Sequence, residues 1–212
     1  QHAHIRKQVS FEKAASGFMV ADPLTLYDCC PTSDGASCVI LAADHVVQKF
    51  TDDPVWIRSS GAASDRLALH DRPSITQLIA TQKASQLAYS AAGITSNDVD
   101  FAEVHDCFTI AELMATEDLG FAQRGQGGAF SRDGEGILNQ GSVCINPSGG
   151  LKSKGHPLGA TGTGQAVEVF KQLRGSVEQS RQVRDAEIGI THNVGGSGAT
   201  CAVHVFGRDR NE

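Results

Sequence analysis

The sequence predicts an α/β fold in which helices lie on both faces of a mixed, mostly parallel, five-stranded sheet. From residue 55 onward, short apolar runs rich in β-branched residues alternate with segments that carry apolar residues at helical spacing. This alternation is typical of layered α-β-α domains. The last two apolar runs are joined by a short glycine-rich connection, so that pair of strands is expected to be antiparallel. The chain of 212 residues, 40% of them hydrophobic, is long enough to bury such a core.

The first part of the chain is predicted to be a separate unit. Its apolar run at 37–43 is expected to form a buried strand. The polar segment FTDDP at 50–54 is the best candidate for a boundary. The sequence therefore predicts a first unit at 1–52 and a domain at 53–212.

Five strands and three helices are predicted after this boundary. The strands are expected at 55–57, 99–104, 143–145, 187–191 and 200–206. The helices are expected at 74–92, capped by Ser74 and Gly93, around 110–114, ended by Gly120, and around 166–173. The glycine-rich stretch 121–141 is predicted to be a long loop, and loops of that length are uncommon unless they are functional.

Charge and composition exclude several classes of function. The net charge is −6 and no run of Lys or Arg is present, so nucleic-acid binding is not expected. No apolar stretch of about 18 residues occurs, so no membrane span is expected. The six cysteines form no C-x-x-C pair, which favours free thiols in a reducing compartment. His2, His4, His45 and His204 are scattered without metal-ligand spacing, so no metal site is expected.

The first segment that can carry chemistry is His105-Asp106-Cys107-Phe108, which follows the predicted strand at 99–104. A thiol at the N-terminus of the next helix lies at the positive end of the helix dipole, which favours the thiolate. Cys107 is therefore a candidate nucleophile or proton carrier, and His105 is placed to assist it. A buried structural cysteine is the alternative.

A second segment, at 146–164, contains a histidine flanked by glycine and proline, Gly155-His156-Pro157. Glycines there allow main-chain N–H groups to approach a ligand. This setting favours a catalytic role for His156 over a structural one. The run at 159–164 lacks a preceding strand and the G-x-G-x-x-G spacing, so a dinucleotide loop is not predicted.

Two glycine-rich connections allow two interpretations each. The turn at 191–198 contains Asn193 and Gly195. It can present main-chain N–H groups to an oxyanion, or it can be a plain hairpin. The loop at 124–128 is either a mobile substrate loop or a solvated connection.

Together these segments resemble the thiolase superfamily. The run 155–162 matches the motif G-H-P-x-G-A-[ST]-G. The run 105–108 is similar to the His-Asp-Cys-Phe pattern of sterol carrier protein-type thiolases, where other thiolases have Asn-Glu-Ala-Phe. The run 193–196 aligns with the family's Cys-x-Gly-Gly-Gly motif. Segments within 22–36 resemble those at the end of the first thiolase half. The chain thus resembles the C-terminal half of a thiolase of the acetyl-CoA acetyltransferase kind, with the end of its N-terminal half and the layered thiolase fold.

The resemblance implies roles for individual residues. His156 would activate a nucleophilic cysteine and help to bind the thioester oxygen. His105 would support that first oxyanion hole through a water. Cys107 would carry the proton of the substrate α-carbon or of the coenzyme A sulfur. The main-chain N–H of Gly195 would contribute to the second oxyanion hole, with Asn193 as the catalytic candidate beside it.

The resemblance also implies a coenzyme A site and partners. Ser148, Gly149, Ser153 and Gly155 would bind coenzyme A, which would act as a co-substrate and not as a permanently bound cofactor. The protein would bind acyl-CoA and CoA, join an N-terminal thiolase half, and form a homodimer or homotetramer. Some relatives also recruit a small acyl-CoA-binding partner protein. A bacterial or archaeal cytoplasm is expected, or a peroxisome in a eukaryote.

One departure from the family pattern shapes the expected function. The family nucleophile lies on a loop of the first half, whereas Cys29, Cys30 and Cys38 lie in segments that resemble the end of that half. The nucleophile is therefore expected outside this chain. The leading hypothesis is the C-terminal part of a thiolase that condenses or cleaves 3-ketoacyl-CoA, inactive without the other half. The alternatives are a thiolase-like retro-aldolase of steroid side-chain thioesters, a non-catalytic acyl-CoA-binding subunit and a β-ketoacyl synthase.

Overall fold

The computed structural model describes residues 3–4 and 6–210, and His2 lies outside them. The region before the main sheet forms short elements. They are helix α1 (Phe11–Ala15), the antiparallel strands β1 (Met19–Ala21) and β2 (Leu24–Thr25), and helix α2 (Asp44–Val47). No helix in the described part of the chain is long and apolar enough to cross a membrane.

A five-stranded sheet forms the centre of the rest of the chain. Its strands are β3 (Trp56–Ser64), β4 (Phe101–Glu103), β5 (Cys144–Ile145), β6 (Ile188–Gly195) and β7 (Thr200–Gly207). They lie in the order β3-β7-β6-β4-β5. Strand β4 pairs parallel with β5 and β6, whereas β7 pairs antiparallel with β6 and β3. All strands of this sheet except β7 therefore run the same way, which confirms a mixed, mostly parallel sheet with an antiparallel final pair.

Helices cover both faces of this sheet. They are α3 (Ile79–Ala92), α4 (Thr109–Asp118), α5 (Gly127–Arg132), α6 (Gly150–Lys154) and α7 (Thr161–Leu173). Ala84 of α3 and Val205 of β7 belong to one buried cluster. Phe206, the next residue of β7, belongs to a second cluster with Val169 of α7. Because successive strand residues point to opposite faces, the two clusters lie on opposite sides of the sheet, and the predicted α-β-α layering is confirmed.

Helix α3 lies very close to strand β3 at Gly61. A Cβ atom at this position would overlap the carbonyl oxygen of Ala84. The helix presents the fully buried alanines Ala80, Ala84 and Ala88 toward the core. Small residues on both elements thus allow the helix and the sheet to pack at close range.

The predicted strand at 37–43 is wrong. Residues 36–43, all within the described part of the chain, form neither helix nor strand. Ile40 and Leu41 are 93% and 73% exposed. A strand satisfies its main-chain N–H and C=O groups through a neighbour, and among the described residues no strand pairs with this run. Residues 37–43 therefore have the apolar composition of a strand but lack the hydrogen-bonded neighbouring strand that a sheet requires.

Helix α3 begins at Ile79, later than the predicted start at Ser74. Arg124 donates to the carbonyl oxygen of Thr76 at 2.6 Å, which occupies an acceptor that a longer helix would use. The carboxylate of Asp118 accepts the N–H of Leu78 at 2.7 Å and takes the place of an N-cap side chain. The start of α3 is thus fixed by residues of α4 and of the following loop.

The predicted ends of two helices are confirmed. Gly93 follows α3 with φ of 69°, and Gly120 follows α4 with φ of 86°. Glycine adopts such left-handed conformations without a steric penalty. The stretch 121–141, predicted as a loop, instead contains helix α5, whose Phe130 packs into the core.

Candidate active site

The segments that carry the predicted site residues begin at the carboxyl ends of three neighbouring strands. His105 follows β4, Asn146 follows β5, and Asn193 lies near the end of β6. Strand β4 lies between β5 and β6 and is parallel to both, so the three ends share one edge of the sheet. Ligands bind at this edge in open α/β sheets. The structure thus brings together segments that are widely separated in the sequence.

His105 and His156 lie in edge-to-face contact, with ring centroids 4.8 Å apart and ring planes at 85°. Burial, and then the neighbouring His156, lowers the pKa of His105 to about 4. Burial also lowers the pKa of His156, although the nearby carboxylate of Asp106 acts in the opposite direction. A buried imidazolium loses its hydration, so both rings are neutral at neutral pH.

Thr161 sets the tautomer of His156. Nδ1 of His156 lies 2.7 Å from the hydroxyl oxygen of Thr161, and this hydroxyl donates to the carbonyl oxygen of Pro157 at 3.1 Å. A hydroxyl has one hydrogen, so its oxygen accepts from Nδ1–H. The proton of neutral His156 is therefore on Nδ1, which leaves Nε2 as a free base.

Cys107 lies just before α4 and is half-buried. Burial raises the pKa of its thiol to about 11, and the nearby Cys30 and Asp106 also raise it. These effects oppose the thiolate that a helix N-terminus favours, and with a pKa of about 11 the thiolate expected from the sequence is not the resting form. Cys107 is a protonated thiol at neutral pH, and it can give a proton before it accepts one.

A short segment from the first part of the chain bonds to both loops that carry these groups. The N–H of Cys30 donates to the carbonyl oxygen of Cys107 at 2.9 Å. The N–H of His156 donates to the carbonyl oxygen of Pro31 at 3.0 Å. The 30–31 segment therefore links the loop of Cys107 to the loop of His156 and fixes the distance between them. Sequence reasoning missed this role, because main-chain hydrogen bonds do not depend on residue type.

Asp106, which has no role in the sequence prediction, anchors helix α6. Its carboxylate accepts the N–H groups of Leu151 at 2.7 Å and Lys152 at 3.2 Å. Any side chain at Gly150 would overlap this carboxylate. Burial raises the pKa of Asp106, against these hydrogen bonds, which lower it. Asp106 thus ties the loop of Cys107 to α6, a contact between residues too far apart in the chain for a local motif to reveal it.

The four residues predicted to bind coenzyme A line one cavity of about 970 Å³; they are Ser148, Gly149, Ser153 and Gly155. A volume of this order suits a large organic ligand. Lys171 and Arg181 lie in the same wall. The N–H and the hydroxyl of Ser148 both donate to the buried carboxylate of Glu103, at 3.0 and 2.6 Å. The side chain of Ser148 is therefore held in place by the protein itself.

Gly195 is the last residue of β6 and pairs with Thr200 of β7. With Asn193 it lines a separate cavity of about 520 Å³. The amide nitrogen of Asn193 also lies 3.3 Å from Nδ1 of His105. Asn193 thus contacts His105 directly, whereas Gly195 lies at the end of the hairpin. Within residues 3–4 and 6–210, no three His, Cys, Asp or Glu side chains lie close enough to hold a metal ion.

His192 is fully buried beside the site, and its surroundings predict a specific response to acid. Its Nδ1 lies 3.4 Å from the main-chain nitrogen of His105, and its Nε2 lies 3.0 Å from the hydroxyl of Thr81. Burial, and then His105, lowers its pKa from 6.5 to about 3. The unfolded chain therefore takes up this proton at a higher pH than the folded chain does. The stability that neutral His192 contributes is complete above pH 6.5 and is lost as the pH falls toward 3.

We expect His192→Gln to be less stable than the wild type at neutral pH, because its hydrogen bonds are weakened. The wild type loses stability as the pH falls below the ordinary histidine pKa, whereas glutamine does not titrate. The difference in free energy of unfolding between the wild type and His192→Gln should therefore shrink by up to about 1.4 kcal/mol per pH unit in this range. Urea unfolding in a pH series measures this difference. A difference that stays constant with pH would contradict the assignment of a neutral, buried His192.

Comparisons with known proteins identify relatives of this chain. A family model described as "Thiolase C-terminal domain-like" matches residues 61–208. The chain is 50% identical over 206 residues to an acetyl-CoA acetyltransferase of Methanothermobacter thermautotrophicus, covering 97% of this chain and 53% of that protein. It is 38% identical over 203 residues to sterol carrier protein 2 of Bos taurus, covering 93% of this chain and 37% of that protein.

A solved structure shares the fold across nearly the whole chain. The Ltp2-ChsH2(DUF35) aldolase superposes with a TM-score of 0.83 at 22% identity, covering 96% of this chain and 52% of that chain. The chain spans about half, or less, of the length of the curated relatives described above.

Proposed function

The chain belongs to the thiolase C-terminal domain family, and on that premise we propose that it is the C-terminal part of a coenzyme A-dependent thiolase. The reaction is the Claisen condensation of acyl-CoA thioesters or the thiolytic cleavage of 3-ketoacyl-CoA. One observation carries the proposal. Two neutral imidazoles, His105 and His156, lie 4.8 Å apart at the carboxyl edge of the sheet, and a protonated thiol, Cys107, follows His105 in the same loop.

His156 takes the role of general base toward the nucleophile. In condensation, a cysteine thiol of the N-terminal half gives its proton to Nε2, and the resulting thiolate attacks the thioester carbonyl carbon. Coenzyme A leaves as the thiolate, and an acyl-enzyme forms. The bond from Nδ1 to Thr161 supports this role, because it keeps the lone pair on Nε2.

Cys107 takes the role of acid and then base. In cleavage, the nucleophile attacks C3 of the 3-ketoacyl group, the bond between C2 and C3 breaks, and its electron pair forms the enolate of the departing acetyl-CoA. The thiol of Cys107 protonates C2 of that enolate. The resulting Cys107 thiolate then takes the proton of incoming coenzyme A, whose sulfur attacks the acyl-enzyme. The raised thiol pKa supports this order of events, because the sequence of steps starts from the protonated form.

The oxyanions that form in both steps require hydrogen-bond donors. We assign His105 to the first oxyanion hole. The main-chain N–H of Gly195, beside Asn193, is assigned to the second. The contact between Asn193 and His105 supports placing both holes at one edge of the sheet.

Coenzyme A is proposed to occupy the cavity of about 970 Å³ described above. We further propose that residues 1–52 are the end of the N-terminal half, and that the nucleophile lies elsewhere in that half. We also propose that the protein forms a homodimer or homotetramer and that it binds a small acyl-CoA-binding partner protein. The hydrogen bonds of the 30–31 segment to both catalytic loops support a close association of the two halves.

An intact-mass measurement tests this function. The whole gene product is incubated with acetyl-CoA and then weighed by mass spectrometry. We expect a covalent acetyl adduct and, with acetoacetyl-CoA and CoA, the formation of acetyl-CoA. Cleavage of a 3-hydroxyacyl-CoA without any adduct would instead identify the retro-aldolase. Binding of acyl-CoA with neither reaction would identify a non-catalytic subunit.

A further inference from the structure

Gln165 is a fully buried residue of α7 whose amide orientation is fixed by the main chain. Its Nε2 donates to the carbonyl oxygen of Glu103 at 3.2 Å and to that of His192 at 3.1 Å. A carbonyl oxygen can only accept hydrogen bonds. The NH₂ group of Gln165 must therefore face these two oxygens, and its Oε1 must face the other way.

The orientation of Asn193 follows from that of Gln165. Oε1 of Gln165 lies 3.2 Å from Nδ2 of Asn193. Because Oε1 can only accept, Asn193 must present its NH₂ group to it. The same NH₂ group lies 3.3 Å from Nδ1 of His105, so its second hydrogen points to the imidazole ring.

The tautomer of His105 follows in turn. An NH₂ group can only donate, so Nδ1 of His105 must accept and cannot carry the proton. The proton of the neutral ring is then on Nε2. His156 has the opposite tautomer, with its proton on Nδ1. The two neighbouring rings thus differ in function, because one offers an Nε2–H donor and the other an Nε2 lone pair.

We propose that Gln165 is a positioning residue that, through Asn193, holds His105 as the Nε2–H tautomer. A donor at this nitrogen is what the first oxyanion hole requires. This inference rests on the proposed function for its purpose, although the chain of donors and acceptors stands without it. Gln165 is fully buried, so its effect on the reaction passes through Asn193 and His105.

The substitution Gln165→Met tests the proposal, because methionine has a similar volume and cannot form these bonds. The whole gene product is prepared with nitrogen-15-labelled histidine. Nitrogen-15 NMR then distinguishes a protonated from an unprotonated ring nitrogen. His105→Gln assigns the His105 signals by removing them. We expect the wild type to show an unprotonated Nδ1 and a protonated Nε2, and Gln165→Met to lose this single-tautomer signature.

Gln172→Met is the matched control. Gln172 is also buried in α7, and its amide bonds to Glu168, Arg181 and Val183. We expect this variant to keep the His105 signature, even if its stability falls as much as that of Gln165→Met. In a thiolase assay, Gln165→Met should lower kcat by about tenfold or more, less than the loss of an oxyanion donor itself, with little change in KM.

Two results would overturn the proposal. One is a wild-type His105 with its proton on Nδ1, and the other is an unchanged His105 signature in folded Gln165→Met. The NMR measurement does not depend on turnover. A protein that forms no acetyl adduct but shows the expected tautomer would therefore refute the proposed function and leave the role of Gln165 in orienting His105 intact.

Discussion

We expect His156→Ala to slow the formation of the acyl-enzyme by about two to four orders of magnitude. The reason is the fixed tautomer of His156. Nδ1 is held by Thr161 at 2.7 Å, so Nε2 is the nitrogen that can accept the proton of the nucleophile. Without this base, the nucleophilic thiol stays protonated at neutral pH. The measurement is the rate of the acylation burst after rapid mixing with an acyl-CoA.

Two further variants test whether the loss is specific to the base at position 156. Thr161→Val removes the partner of Nδ1 and should slow acylation less, by about tenfold. His70→Ala, at a side chain that is 85% exposed, should leave the burst unchanged. An acylation burst of normal rate in His156→Ala would refute the assignment of His156 as the base.

A different loss is expected for Cys107→Ala. The variant should lose cleavage and condensation by at least about a hundredfold. No group remains to protonate the enolate carbon in cleavage or to remove the α-carbon proton in condensation. Acyl transfer to the nucleophile should survive in part, because that step starts from the base His156. The thiol pKa of about 11 also predicts that wild-type Cys107 reacts slowly with iodoacetamide at neutral pH, since the thiolate is the reactive form.

Cys38→Ser is the matched control for this experiment. Cys38 is exposed and remote in sequence from the catalytic loops, and we expect its replacement to leave turnover unchanged. Intact mass after incubation with acetyl-CoA separates the two activities, because an adduct without turnover identifies a block after acylation. Normal turnover in Cys107→Ala would show that another group carries the proton.

Elements whose signal lies within their own residues were predictable from the sequence. Helix α7 has apolar residues at helical spacing, and α3 ends at Gly93, which has φ of 69°. The start of α3 was not predictable in this way, because it depends on the carboxylate of Asp118 in another helix. The run 37–43 has the composition of a strand, but pairing depends on a neighbour and not on composition.

The same division applies to the candidate site. His105, Cys107 and His156 carry reactive groups and lie in short runs that resemble known motifs. Asp106 and Gln165 act through hydrogen bonds to residues that are distant in the chain. Aspartate and glutamine also occur in purely structural hydrogen bonds, so their residue types do not mark them as parts of a site. Only the three-dimensional arrangement of donors and acceptors reveals what they do.

The hydrogen bonds of the 30–31 segment matter for any attempt to divide the protein into complementing fragments. A cut between residues 52 and 53, at the polar boundary, would leave this segment on one fragment and both catalytic loops on the other. The spacing of Cys107 and His156 would then depend on reassociation of the fragments. A cut in the exposed turn between β1 and β2, at 22–23, keeps the segment covalently joined to the domain whose loops it holds.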